Sequence, residues 1–143
     1  MIYFRQGGQS MEIKTIHRVK FFDTDTMGVV HHANYIRWFE TGRVEFLRAL
    51  GISLNEMMND GILFPIVEVN AKFHAPAQFD DVLEIKTIAE ALTRAKMQFR
   101  YEIRRQGEEK ILANGSSTNV FTHDGKICRL PEKFFERLSK GLE

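Results

Sequence analysis

Two aspartates and two histidines lie close together in the stretch DTDTMGVVHHANY, residues 23–35. Asp23 and Asp25 are separated by one residue, and His31 and His32 are adjacent. Carboxylates and imidazoles bind metals, attack phosphoryl or acyl groups, and act as general acids or bases. The stretch therefore raises three chemical hypotheses: a metal loop, a phosphotransfer site and a hydrolase site.

A metal site fits this spacing poorly. Two histidines that share one ion on a helix lie a turn apart, whereas the adjacent side chains of His31 and His32 diverge by about 100°. A calcium loop of the EF-hand type needs a third oxygen ligand and a distant glutamate, and neither is present. We therefore expect no bound metal.

A phosphotransfer site also fits poorly. The D-x-D motif of haloacid-dehalogenase-type phosphatases has Thr or Val two residues after its second aspartate, where this chain has Met27. That motif also belongs to a fold in which strands and helices alternate, whereas the strands predicted here follow one another directly.

The residues after the stretch predict one long helix. Apolar residues recur at near-helical spacing, at Ile36, Phe39, Phe46, Leu47 and Leu50. Asn34 is the expected N-cap, with an earlier start in the loop as the alternative, and Gly51 is the expected stop. A helix over 34–50 would be about 25 Å long, enough to cover a sheet. Glu40 and Arg43 are three residues apart, which predicts an ion pair on the helix surface.

The rest of the chain predicts mainly strands. Alternating apolar residues and β-branched or aromatic content indicate strands in five segments: 12–22, 63–75, 81–93, 95–105 and 110–122. Short helices are predicted at 53–60, with Ser53 and Glu56 as a capping box, and at 131–142, opened by Pro131. Because helices and strands do not alternate, the fold class is α+β, with the long helix lying on a curved antiparallel sheet.

Length and composition limit the kinds of protein. The chain has 143 residues, which fits one domain; we expect it to span residues 11–143, with residues 1–10 as a leader or an added extension. A net charge of +1 argues against nucleic-acid binding, which needs clustered positive charge. No apolar run reaches the roughly 18 residues of a transmembrane helix, and the single cysteine, Cys128, excludes an intramolecular disulfide. These features predict a cytoplasmic protein.

Thioester hydrolysis fits the stretch best. Unpaired amides at a helix start carry partial positive charge and can stabilise a developing oxyanion. One nearby carboxylate can then attack the carbonyl or activate water. The chain has no G-x-S-x-G elbow. A thioester does not require one, because its leaving thiol has a pKa of about 8.5.

Residues 18–53, from RVKFFDTDTMG to FLRALGIS, resemble the signature of the 4-hydroxybenzoyl-CoA thioesterase family of hot-dog proteins. Within that family they look closest to the bacterial acyl-CoA thioesterases associated with the Tol-Pal cluster. The matching positions are Arg18, Val19, Thr24, Asp25, Gly28, Val29, Val30, Asn34, Tyr35, Glu40 and Arg43. With the strands after it, the resemblance covers Ile13 to about Leu138.

The resemblance implies a hot-dog fold, in which a five- to six-stranded antiparallel sheet wraps one long helix. It implies hydrolysis of acyl-CoA by a homodimer or homotetramer with sites at the subunit interface. It implies no cofactor apart from the coenzyme A of the substrate.

The resemblance also assigns roles to residues. Asp25 matches the catalytic carboxylate, as nucleophile or general base, and the backbone amide of His32 matches the donor to the thioester carbonyl. Asp23 matches a position that varies and is not assigned to catalysis. The remaining expected substrate-binding positions are Gly28, Val29, His31 and Tyr35, with Arg94, Lys96 and Arg129 as candidates for the coenzyme A phosphates.

Two other functions remain open at this point. One is a hot-dog dehydratase acting on a 3-hydroxyacyl thioester, with the ring of His31 or His32 as base. The other is a non-catalytic acyl-thioester-binding protein. For Asp25 the alternative to catalysis is a turn or cap aspartate before a helix, and for the three cations it is a solvated surface.

Overall fold

The computed structural model describes residues 3–4 and 11–142. Nine strands are described: β1 Tyr3–Phe4, β2 Glu12–Arg18, β3 Ile62–Leu63, β4 Ile66–Phe73, β5 Val82–Leu92, β6 Lys96–Arg105, β7 Ile111–Val120, β8 Thr122–His123 and β9 Lys126–Ile127. The α-helices described are α1 Ala33–Ala49, α2 Leu54–Asn59 and α3 Glu132–Ser139, and 3-10 turns lie at Phe21–Asp23 and Lys140–Leu142. None of the described helices is long and apolar enough to cross a membrane.

The main sheet is antiparallel and curves around α1. Its strand order is β1-β5-β6-β7-β4, and β2 pairs with the same edge of β5 as β1 does. β2 covers the first part of β5, from Val82 to Ile88, and β1 covers Ala91 and Leu92. The α+β class and the hot-dog arrangement predicted from the sequence are confirmed.

The N-terminal stretch was expected to lie outside the fold, yet Tyr3 and Phe4 pair with β5. Residues 1–2 and 5–10 lie outside the described residues, as does residue 143. The expectation of a leader, and of a domain over 11–143, therefore stays a prediction.

Two strand boundaries differ from the sequence-based expectation. The first long strand ends at Arg18 rather than at residue 22, because Phe21–Asp23 form a 3-10 turn that the Asp23 carboxylate closes onto the amide of Lys20. The segment 63–75 is divided, since Pro65 separates β3 from β4. A proline has no amide hydrogen for a sheet, which is the physical reason for the break.

The core lies between α1 and the concave face of the sheet. Phe39 and Phe46 are fully buried and pack on Tyr101 and Phe99, with ring centroids 4.4 Å and 5.4 Å apart. α1 lies close against the sheet at Gly42, where a Cβ would collide with Thr87 Oγ1. This contact fixes the height of the helix above the sheet and therefore the position of its first turn.

Two details of the helices also differ from expectation. α1 begins one residue before Asn34, with His32 in the N-cap position, because the Asn34 side chain points into the protein. The predicted surface pair of Glu40 and Arg43 is absent among the described ion pairs. Arg43 is instead buried and donates from Nη1 to the Tyr101 hydroxyl at 3.2 Å.

Candidate active site

The residues from Thr24 to Val30 form a tight turn. Thr24 and Val30 bridge its two ends, and the Asp25 amide donates to the Val29 carbonyl at 2.9 Å. Gly28 closes the turn with a φ of 79°, a left-handed conformation that favours glycine. The space around Gly28 is open, so its conformation rather than its small size is what the turn requires.

Asp25 lies exposed on this turn with half of its carboxylate engaged. Oδ1 accepts a hydrogen bond from the Met27 amide at 2.8 Å. Within residues 3–4 and 11–142, Oδ2 has no hydrogen-bond donor and the carboxylate has no ion pair. The turn thus fixes the orientation of the carboxylate and leaves one oxygen for a ligand.

Asp23 is the residue that joins this turn to the helix start. It is buried, and Oδ2 lies 3.1 Å from His17 Nε2 and accepts from the Lys20 amide at 2.9 Å. Its backbone carbonyl accepts from the His31 amide at 3.0 Å and from Asn34 Nδ2 at 2.8 Å. No pattern within the loop predicted this role, because the partners His17, His31 and Asn34 lie six to eleven residues away.

The start of α1 presents backbone amides that differ in how they are bonded. The Ala33 amide donates to His31 Nδ1 at 3.2 Å, and the Asn34 amide donates to the His31 carbonyl. In the part of the chain that the structure describes, the His32 amide has no acceptor. Such an amide at the positive end of a helix is a ready donor to an oxyanion.

The two histidine rings lie together at the surface. Their centroids are 4.3 Å apart and the rings are stacked. Because His31 Nδ1 accepts the Ala33 amide, a neutral His31 ring in this arrangement carries its proton on Nε2. One His31 ring nitrogen is therefore used in a backbone hydrogen bond, and the His32 ring stacks against the His31 ring.

Tyr35 is a packing residue with a satisfied hydroxyl. It is buried, and its hydroxyl accepts from the Ala77 amide at 3.0 Å. Burial raises the pKa of Tyr35, against a smaller opposing effect of that hydrogen bond, so the phenol stays neutral. Beside it a cavity of about 270 Å³ opens next to the helix start, lined by Val30, His32, Tyr35, Phe73, His74, Ala75 and Pro76.

Val29 helps to hold the turn through its backbone rather than through its side chain. It bridges Gln78 of the loop before β5, and the neighbouring Val30 amide donates to the Ala77 carbonyl at 2.9 Å. These bonds fix the turn that carries Asp25 to the end of the sheet where β5 begins.

The three candidate cations lie at the other end of β5. Arg94 forms an ion pair with Glu132 and lies over the Phe135 ring, 3.7 Å from its centroid. Lys96 begins β6 and Arg129 is exposed before α3. β5 has 11 residues and spans about 33 Å, so one subunit does not bring these cations to Asp25.

Comparison with known proteins identifies the family. Residues 27–112 match the thioesterase superfamily. The acyl-CoA thioester hydrolase YbgC of Escherichia coli is 35% identical over 86 residues, which span 60% of this chain and 64% of that protein. The chain belongs to the thioesterase superfamily, as its resemblance to the 4-hydroxybenzoyl-CoA thioesterase family predicted.

Two solved structures share the fold. The BH1999 gentisyl-coenzyme A thioesterase has a TM-score of 0.78 at 31% identity, covering 84% of this chain and 97% of that one. A 4-hydroxybenzoyl-CoA thioesterase has a TM-score of 0.80 at 26% identity, covering 88% of this chain and 97% of that one. The latter carries an aspartate-to-asparagine change and is complexed with 4-hydroxybenzoyl-CoA.

Proposed function

We propose that this protein hydrolyses acyl-CoA thioesters at the turn of residues 24–30 and the start of α1. The observation that supports this most directly is the pairing of a half-engaged carboxylate, Asp25, with the unoccupied His32 amide, both fixed by Asp23. The superfamily supports the reaction class, since the relatives named above act on acyl-CoA thioesters.

In this mechanism the His32 amide donates to the thioester oxygen as negative charge develops on it. Asp25 Oδ2 then acts in one of two ways. As a general base it takes a proton from water, and the hydroxide attacks the carbonyl. As a nucleophile it forms an acyl anhydride that water later cleaves. In both cases the carbon–sulfur bond breaks and coenzyme A leaves as the thiolate, which is then protonated.

The experiment is thiol release from acyl-CoA by the wild type and by Asp25→Asn. The amide oxygen keeps the hydrogen bond from the Met27 amide but cannot act as base or nucleophile, so we expect a fall in kcat of about 100-fold or more with an unchanged melting temperature. Thr26→Ala, one residue away and exposed, is the matched control and should keep its rate. An Asp25→Asn rate equal to that of the wild type would remove Asp25 from the mechanism.

A single turnover in water labelled with heavy oxygen tests the nucleophilic role. Label enters the Asp25 carboxylate only when water attacks the Asp25 carbon of an anhydride, so a labelled Asp25 identifies a nucleophile, whereas attack at the acyl carbon labels the acid product alone. A general base leaves the carboxylate unlabelled. The thiol-release assay, run with a 3-hydroxyacyl-CoA, tests the dehydratase alternative, which predicts loss of water from that thioester without thiol release.

We also propose that the protein is a homodimer joined through β4. This eight-residue strand ends the main sheet and pairs only with β7 among the described strands. It carries the exposed side chains Val67 and Phe73, and an open strand of this kind is a template for pairing. Val67→Glu should shift the mass measured by light scattering toward the monomer, while an unchanged mass would exclude this edge.

The proposal also includes the expected location, oligomeric state, family branch and lack of a cofactor. Coenzyme A thioesters are cytoplasmic metabolites, which supports a cytoplasmic location. A tetramer, built from two such dimers, and membership of the Tol-Pal-associated branch remain predictions. No cofactor is expected beyond the coenzyme A of the substrate, and a preparation treated with chelator should keep its full rate.

A further inference from the structure

A second cavity lies along α1, away from the first turn. It has a volume of about 340 Å³ and is walled by apolar side chains of α1, α2 and the segment around β3, chiefly Val44, Leu47, Met57, Ile62 and Phe64. Glu40 and Arg43 also line it. Glu40 follows His32 by eight residues, or about 12 Å of helix, so this cavity is next along the helix from the proposed thioester position.

Arg43 is the unusual member of this lining. The residue is only 6% exposed, and charged residues are almost never buried without a partner. Nη1 donates to the Tyr101 hydroxyl, which in turn lies 2.6 Å from Ser117 Oγ. Among the described residues Arg43 has no carboxylate partner, and its remaining N–H groups have no acceptor. Arginine has five N–H donors and no acceptor, so a ligand group here has to accept hydrogen bonds.

Glu40 sets a second condition on the ligand group, beside the need to accept hydrogen bonds from Arg43. It is exposed, lines the same cavity, and has no ion pair within residues 3–4 and 11–142. An ionised carboxylate only accepts hydrogen bonds. A ligand carboxylate near both residues would be repelled by Glu40, and an ammonium would be repelled by Arg43. A neutral hydroxyl satisfies both, because it accepts from Arg43 and donates to Glu40.

We infer that this cavity receives the chain of a hydroxylated acyl-CoA, with Arg43 and Glu40 binding the hydroxyl and the aliphatic walls binding the chain. This inference rests on the proposed thioesterase function and names its substrate class. An unsubstituted chain would leave the other N–H groups of the Arg43 guanidinium without acceptors, and a site built to bind a substrate hydroxyl rejects an analogue that lacks it.

The test compares matched substrates in the thiol-release assay. Hexanoyl-, octanoyl- and decanoyl-CoA are measured against their terminally hydroxylated counterparts and against adipoyl-, suberoyl- and sebacoyl-CoA. The wild type should prefer a hydroxylated chain in kcat/KM by about tenfold or more over the plain chain of equal length. Arg43→Met, which keeps the length and removes the donors, should abolish that preference.

Glu40→Gln gives a second readout, at an exposed position that has no ion pair among the described residues. With the negative charge removed, Arg43 is left with net positive charge, so the preference should move toward the chains ending in a carboxylate. A wild type that hydrolyses plain and hydroxylated chains equally would overturn the inference and leave the proposed function intact. So would a preference that neither variant changes. A wild type that releases thiol neither from these substrates nor from acetyl-CoA and benzoyl-CoA would overturn the proposed function itself.

Discussion

Asn34 Nδ2 donates to the backbone carbonyl of Asp23 at 2.8 Å, across eleven residues of sequence. The same carbonyl accepts the His31 amide, so one oxygen holds both the turn that carries Asp25 and the first turn of α1. The relative position of carboxylate and free amide in the proposed mechanism depends on this one acceptor.

Loss of this tie should reduce kcat more than it changes KM. Asn34→Ala removes the side-chain donor of this tie and leaves the Asp25 carboxylate and the His32 amide unchanged. A displacement of about 1 Å is enough to cost about 100-fold in rate, so we expect kcat to fall between about tenfold and 100-fold. Steady-state kinetics with acyl-CoA, corrected for the folded fraction, measures it. Asn55→Ala, exposed on α2, is the control. A lower melting temperature with kcat intact would mean that the tie is only structural.

Gly42→Ala should destabilise the protein. The new Cβ would collide with Thr87 Oγ1, and overpacking of this kind costs about 1–3 kcal/mol. Thr87 Oγ1 is buried without a hydrogen-bond partner among the described residues, so Thr87→Ala removes the obstacle at little loss. Urea unfolding of both single variants and the double variant measures the coupling. If Gly42→Ala costs as much without Thr87 Oγ1 as with it, the proposed collision is not the cause.

Gly28→Ala should strain the Asp25 turn. The left-handed φ of 79° costs a residue with a side chain roughly 1–2 kcal/mol, while the open space around it adds no collision. Gly28→Asn should cost less, since asparagine tolerates this conformation. Melting temperatures give the order wild type, Asn, Ala. Equal melting temperatures for the Asn and Ala variants would contradict a conformational origin.

Stability at high pH should depend on Tyr101. Burial raises the pKa of Tyr101 above its ordinary 10.0, against the opposing effect of the Arg43 guanidinium. A raised folded-state pKa gives stabilisation that is complete below pH 10 and is lost as pH rises through the folded value. The free energy of unfolding, measured from about pH 8 to about pH 11, should therefore fall less steeply for Tyr101→Phe than for the wild type. Parallel curves would show that another group titrates.

The sequence predicted the parts of this fold that follow from local rules. The spacing of Phe39, Phe46 and Leu47 predicted α1, and Ser53 caps α2 as expected by accepting from the Glu56 amide at 3.0 Å. The other half of the predicted capping box is absent among the described hydrogen bonds, because the Glu56 carboxylate pairs with Arg137 instead. The family signature brought Asp25 and the helix start together as a site, and the structure places them on adjoining turns.

The parts that were missed depend on contacts between distant residues. Arg43 was expected at the surface because spacing along a helix does not show which face meets the sheet, and its partner Tyr101 is 58 residues away. The role of Asp23 depends on His17 and Asn34, which no pattern within the loop connects. In each case the missing information was the position of α1 relative to the sheet.

The separation of Asp25 from Arg94, Lys96 and Arg129 along β5 has a genetic consequence. If the coenzyme of one site is held by cations of the partner subunit, each site is made from two chains. Chains carrying Asp25→Asn and chains lacking the three cations would then both be impaired as pure populations. Mixed dimers of the two would hold one site with all its parts, so co-expression should restore part of the activity by intersubunit complementation.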